Sequence, residues 1–173
     1  ARSSIGDADF AAMQTVLASQ QGLPSPFDFL VVEVSSFQLE TVEQFHPWIA
    51  GLLNVTVDHQ DRYTSIDEYV TAKRRIFECQ KPTDYALFNL DDQRVAALRH
   101  SVKARVLGFT RQSALPADVT GGTYLEGDRL ITTVTGVRQE ICRRQEIKII
   151  GDHNVENVMA ASSYALLSGC SLE

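Results

Sequence analysis

The chain has 173 residues, 44% of them hydrophobic and 22% charged, enough apolar material for one domain with a proper core. Its net charge of −6 excludes broad, sequence-independent nucleic-acid binding, which needs a basic surface, but not a nucleotide carried with magnesium. No apolar run approaches a membrane span and no signal peptide is recognisable. Cys79, Cys142 and Cys170 form no CxxC pair, which predicts reduced, packed thiols in a cytoplasmic protein.

In chain order, the first periodic segment predicts a helix over Ala8–Ser19, and "QGLPSPFD" then reads as a surface connection. Short apolar runs predict buried strands at Phe29–Val34, Gly51–Val55, Tyr85–Leu90 and Ala104–Phe109. Helices are expected between and after them, at Phe37–Phe45, Ile66–Gln80, Asp92–His100 and Val155–Ser168. Such alternation predicts an α/β fold, a mostly parallel sheet flanked by helices. Between Gly121 and Ile150 the pattern changes. "GGTYLEGDRLITTVTG" predicts a hairpin turning at Gly127-Asp128, and "RQEIKII" another strand, together a small antiparallel extension.

Open parallel sheets bind ligands beyond the carboxyl ends of their strands, so polar residues there are candidates. The first cluster is Glu33, Ser35, Ser36 and Gln38 in "VVEVSSFQLE". Its plain reading is a strand end with Ser36 capping the next helix. A carboxylate among valines is costly unless it is paired, however, and Glu33 suits a hard cation. The second cluster is Asp58-His59-Gln60-Asp61-Arg62-Tyr63, either a solvated loop or a site in which His59 binds a metal or a substrate oxygen. Arg62 would then hold a carboxylate or stay paired with Asp58 or Asp61.

The third candidate is Lys73. It falls at helical spacing between Tyr69, Val70, Ile76 and Phe77, on the inward stripe, with Arg74 and Arg75 pointing away. Either it snorkels its head to water, or its neutral amine takes up carbon dioxide as a carbamate and becomes a metal ligand. The fourth is "GDHNVENVMAASSYALLSG", with Asp152 as expected N-cap and Gly169 as helix stop. Asn154 and Asn157 lie three apart in its first turns. They are ordinary capping residues, or amides that recognise a nucleotide near a helix N-terminus. His153 reads as an exposed cap residue, and His46 and His100 as surface residues without partners.

Four segments in order and spacing, "EVSSFQLET" at 33–41, "LNVTVDHQDRY" at 53–63, "YVTAKRRIFE" at 69–78 and "GDHNVENVMAA" at 151–161, resemble the central domain of the muramyl ligases. "SSFQLE" is similar to the D-glutamate-adding branch in particular. The resemblance runs from about Phe29 to the end and is weak over residues 1–28. It implies a P-loop NTPase-like domain and an ATP-dependent carboxylate–amine ligase of peptidoglycan synthesis. Such a ligase phosphorylates the carboxylate of UDP-N-acetylmuramoyl-L-alanine and joins the resulting acyl phosphate to D-glutamate. It further implies Mg2+ at Glu33, His59 and a carbamylated Lys73, with Lys73 and His59 in the catalytic roles. Substrate contacts would fall at Ser35, Gln38 and Tyr69, and ATP contacts at Asn154 and Asn157.

The family's phosphate-binding GxxxxGK[ST] loop should precede Glu33, yet none of the ten glycines is followed by lysine. "SSIGDADF" at 3–10 carries Ser4 where the family has an asparagine. The expectation is therefore a partial central domain, residues 1–173, without the family's N-terminal uridine-binding and C-terminal domains, and inactive by itself. The competing readings are a folylpolyglutamate synthase-like ligase and a truncated, non-catalytic binding module.

Overall fold

The computed structural model describes residues 28–56 and 63–172. The expected helix Ala8–Ser19, the "SSIGDADF" segment, most of "QGLPSPFD" and the polar residues Asp58 to Arg62 lie outside them.

Among the described residues six strands form one sheet in chain order: β1 (Ile49–Leu52), β2 (Tyr85–Asn89), β3 (Arg105–Thr110), β4 (Gly121–Glu126), β5 (Arg129–Thr132) and β6 (Gln139–Arg143). Pairing is parallel from β1 to β4 and antiparallel from β4 to β6. Among the described residues four helices accompany it: α1 (Ser36–Glu40), α2 (Ile66–Arg74), α3 (Gln93–Leu98) and α4 (Asp152–Leu167). Short 3-10 turns, Arg75–Phe77 and Arg99–Ser101, prolong α2 and α3.

Strand alternation builds two cores. Ala50, Leu52, Ala86 and Phe88 face Tyr69, Phe77 and Val95 from the α2 and α3 segments. Leu87, Leu107, Phe109 and Leu130 face Val155, Met159, Ala160 and Leu166 of α4. Neighbours along one strand thus point to opposite layers, as the two-residue strand period requires. Phe88 and Phe109 are both fully buried, each contributing about 1.5–3 kcal/mol of hydrophobic stabilisation. Gly51, paired with Leu87, lies on the α4 side, where an added Cβ would overlap the Tyr164 hydroxyl. Burial pushes that phenol up to about 12.

The hairpin turns where expected, with Glu126 opposite Arg129 and Gly127 at φ 64°, a left-handed conformation that glycine adopts freely. The antiparallel part is continuous with the main sheet, because β4 pairs β3 on one side and β5 on the other.

Five expected elements differ from those observed. Residues 29–34 form no strand. Among the described residues nothing pairs with them, and Phe29 instead stacks on Trp48 at 6.1 Å between ring centroids. Val31 is 95% exposed, and only Val32 and Val34 pack, against Leu39 and Val42. The helix expected over Phe37–Phe45 stops at Glu40, since the Val42 carbonyl accepts from the Arg75 guanidinium at 2.6 Å. The second strand is Ile49–Leu52 rather than Gly51–Val55. Beyond Leu52 side chains replace the ladder: Asn89 donates to Leu53 O at 2.9 Å, and Val55 N donates to Asp92 at 2.9 Å. "RQEIKII" is not a strand. Glu146 accepts from Arg143 N at 2.6 Å, which closes a 3-10 turn over Arg144–Glu146 and leaves the strand to Gln139–Arg143. Gly151, not Asp152, occupies the N-cap of α4. Gly169, at φ 91°, ends that helix as expected.

Neither histidine is without a partner. His46 Nε2 meets Asp84 Oδ2 at 2.6 Å, where the carboxylate is 6% exposed, and His100 Nδ1 lies 3.7 Å from Asp118. The three cysteines are free; Cys79 and Cys142 are half-buried, whereas Cys170 is exposed just past α4 rather than packed. Burial pushes the Asp84 carboxyl up, but the Lys81 N–H and the His46 imidazole outweigh it and hold the group below its ordinary value.

Two outcomes follow. Gly51→Ala should cost about 1–3 kcal/mol in urea unfolding by overpacking Tyr164, with part of the loss recovered in Gly51→Ala/Tyr164→Phe. Asp84 binds its proton more readily when unfolded, so its stabilisation is full above the ordinary Asp value, about pH 4, and fades as pH falls through the lower folded value. Asp84→Asn should therefore flatten the acid limb of the stability profile, and an unchanged limb would contradict the pairing.

Candidate active site

The substrate candidates begin with a local cap. Ser35 N donates to Gln38 Oε1 at 2.8 Å, while Gln38 N donates to Ser35 Oγ at 3.3 Å. This reciprocal capping box starts α1, so the cap is Ser35, and Ser36 is buried behind it. Gln38 is 9% exposed. Its side chain is held at the helix start by Ser35, whose Oγ also donates to Oε1 at 3.1 Å.

α1 packs on α2. Along that seam Phe37 stacks on Tyr63 (6.1 Å), Tyr63 tilts against Tyr69 (5.3 Å), and Lys73 Nζ stands over the Tyr69 ring at 5.1 Å. Tyr63 also donates to Glu40 Oε1 at 2.5 Å. Lys73 is half-buried, consistent with its inward spacing, and Tyr69 is buried. Arg75, expected to point away, instead turns inward and donates to the Val42 carbonyl. An open groove lined by Glu40, Tyr63, Asp67, Glu68, Thr71 and Arg75 runs beside the seam.

Glu33 is exposed on the extended segment before α1, not buried in a strand. His59 lies outside the described residues. Among the described residues no three His, Cys, Asp or Glu side chains cluster as a metal would need.

A second polar group occupies the carboxyl ends of β2 and β3. Buried Asn89 donates to Glu156 Oε2 at 3.0 Å as well as to Leu53 O. Its Oδ1 accepts from Asp91 N at 2.9 Å. Asp91 accepts from Thr110 Oγ1 (2.6 Å) and from Arg111 N (2.7 Å). The Arg111 side chain reaches Asp152 at 2.7 Å and Glu156 at 2.9 Å. Arg144 also holds Asp152, at 2.5 Å; that hydrogen bond, then the Arg111 charge, keeps the Asp152 carboxyl below its ordinary value. These contacts bring the amino end of α4 to the strand ends where an open parallel sheet binds ligands. Asn154 and Asn157 stand there together. Asn157 Nδ2 is 3.3 Å from Asn154 Oδ1, and Asn154 Nδ2 donates to Ile150 O at 2.8 Å. His153 is exposed, as expected.

Sequence reasoning missed Asn89, Asp91, Arg111 and Glu156. The available signal was "NLDD" directly after the apolar "YALF", a polar cluster following an apolar run like the one at 58–63.

Replacing Ser35 with Ala removes one half of the capping box. It should lower stability by about 1 kcal/mol, read from the urea midpoint, while Ser35→Thr retains most of it.

The described sheet and helices have counterparts in solved structures. One is crystal structure I of MurF from Acinetobacter baumannii, with a TM-score of 0.55 and 22% identity, covering 79% of this chain and 29% of that one. The sequence is 38% identical over 168 residues, 97% of this chain, to the UDP-N-acetylmuramoylalanine--D-glutamate ligase of Thermoanaerobacter pseudethanolicus (strain ATCC 33223 / 39E). It is 44% identical over 141 residues, 82% of this chain, to the protein of the same name from Geobacter metallireducens (strain ATCC 53774 / DSM 7210 / GS-15). The chain spans 35% and 30% of the length of these two curated relatives. The family model described as Mur ligase middle domain matches residues 11–165, and the chain belongs to that family.

Proposed function

We propose that this chain is the central domain of a cytoplasmic ligase that uses ATP to join D-glutamate to UDP-N-acetylmuramoyl-L-alanine. The observation that carries the reading is the match along 97% of the chain to a relative bearing that ligase name. The geometry is compatible with it, since the candidate substrate side chains lie on α1, its cap and α2, two helices packed on each other, and the candidate nucleotide amides lie at the amino end of α4.

In this reading Ser35, Gln38 and Tyr69 meet the uridine-linked substrate. The Ser35–Gln38 cap restricts the amide to one orientation, so little of its freedom is lost on binding. Asn154 and Asn157 offer amide donors and acceptors to ATP. The substrate carboxylate attacks the γ-phosphorus and ADP leaves. The D-glutamate amine then attacks the acyl phosphate carbon, loses a proton, and phosphate departs.

The donor set suits a hard cation. Glu33 presents carboxylate oxygens on an exposed segment, His59 would add a nitrogen, and the Lys73 amine would add oxygens once converted to a carbamate. Bound there, magnesium would neutralise charge on the phosphoryl and acyl oxygens. A plain ammonium at Lys73 would repel such a cation, and its present contact, the Tyr69 ring, is one that a carbamate would give up.

The test uses the full-length protein that carries this segment, with ATP, magnesium and UDP-N-acetylmuramoyl-L-alanine. Phosphate release and a new amide product are expected with D-glutamate and not with other amino acids. Turnover of a folate with L-glutamate instead would move the protein to a different ligase class. Lys73→Ala, or rigorous removal of carbon dioxide, should abolish turnover, and a fully active Lys73→Ala enzyme refutes the carbamate role.

A further inference from the structure

We infer that Arg111 is a positioning residue for the nucleotide amides: by clamping Asp152 and Glu156 it sets the rotation of α4 about its axis, and with it the direction of Asn154 and Asn157. The inference rests on the nucleotide role proposed above for those two asparagines.

The first turn of α4 needs such a device. Its N-cap is Gly151, which brings no side chain, and no other side-chain cap closes the helix start. The turn is instead held from outside, by Arg144 on Asp152 alone at 2.5 Å and by Arg111 on two carboxylates. Arg111, the residue after β3, meets Asp152 Oδ2 through Nη1 at 2.7 Å and Glu156 Oε1 through Nε at 2.9 Å. The Nε–H is aimed at neither carboxylate, so that second contact is Coulombic rather than a linear hydrogen bond. Asp152 and Glu156 are one turn apart, and a single guanidinium spanning both resists helix rotation as well as translation.

Helical geometry separates the clamp from the amides. At about 100° per residue, Asp152 and Glu156 share one flank while Asn154 and Asn157 fall on the opposite one. Arg111 therefore does not itself occupy the amides, which bond the Ile150 carbonyl and each other, while it fixes where they point. The clamp is anchored in turn: Arg111 N donates to Asp91, Asp91 accepts from Thr110 Oγ1, and Asn89 holds the other oxygen of Glu156. A cation at a helix amino end is opposed by the helix dipole, so the helix end itself does not account for Arg111. The two carboxylates do.

The experiment takes the full-length ligase and compares wild type with Arg111→Met, Arg111→Lys, Glu156→Gln and the double variant Arg111→Met/Glu156→Gln. Wild-type amide formation with D-glutamate tests the functional reading by itself. Given that activity, Arg111→Met should raise the ATP KM about tenfold with the KM values of the other two substrates little changed. Arg111→Lys should recover part of the effect, and the double variant should be no worse than Arg111→Met. Arg138→Met, which breaks a surface ion pair with Glu126, should leave all three KM values unchanged.

Hydrogen exchange supplies a readout independent of turnover. Amides 154–157, the first to find acceptors in α4, should exchange faster in Arg111→Met and Glu156→Gln, with β2 and β3 unaffected. A wild-type ATP KM in Arg111→Met, or an equal rise in all three KM values, overturns the positioning role. So does unchanged exchange in the first turn of α4. Should Arg111→Met fail to fold, Arg111→Lys and Glu156→Gln decide by the same measurements.

Discussion

Asn89 ends β2 with its carboxamide buried, and three separate elements meet on it: the Leu53 carbonyl after β1, Glu156 of α4, and the N–H of Asp91 in its own turn. A buried amide tolerates few arrangements, because an unpaired donor or acceptor there carries the full penalty of lost water. The level at which β1 stops, the sharp turn after β2 and the approach of α4 to the sheet are consequently linked. Asp91 passes the constraint to β3 through Thr110 and Arg111, and Arg111 returns it to α4. The candidate nucleotide amides are held where strand ends and helix start are joined by polar contacts.

The apolar layers make this junction possible without dictating it. Phe88 and Leu87 commit β2 to two cores at once, one beneath α2 and α3 and the other beneath α4. Packing on the α4 side is close enough that Gly51 has no room for a Cβ under Tyr164. Hydrophobic contact is non-directional, however, and a helix lying on a sheet can still turn about its axis or slide. The charged and amide contacts at its amino end remove that freedom. The seam between α1 and α2 follows similar logic on a smaller scale. Leu39 and Val42 supply apolar contact, while the Ser35–Gln38 cap and the Arg75 bond to Val42 fix where the short helix starts and stops.

Legibility in the sequence depended on whether a segment's partners were near in the chain. β2 and β3 were readable because each is an apolar run buried on both faces, and the hairpin was readable because Gly127-Asp128 announces its own turn. α4 was readable from its period and from Gly169, although its cap was assigned one residue late. The run Phe29–Val34 has the same composition as a buried strand and is not one, since composition cannot supply the neighbour that a strand requires. "RQEIKII" departs for a local reason: Ile147 N donates to the Arg144 carbonyl at 3.2 Å, turning the chain where a ladder would need it extended.

By itself, the sequence determined the alternating α/β plan, the hairpin and the four motif segments that place the chain in its family. Those rest on period, turn chemistry and residue order, all of which are local. Tertiary structure alone decided that Asn89, Asp91, Arg111, Asp152 and Glu156 form one network, and that His46 finds Asp84 across 38 positions. A charged or amide group shows only its type in a sequence. Its partner is set by which strand ends come level and which helix flank meets them, and those are consequences of packing.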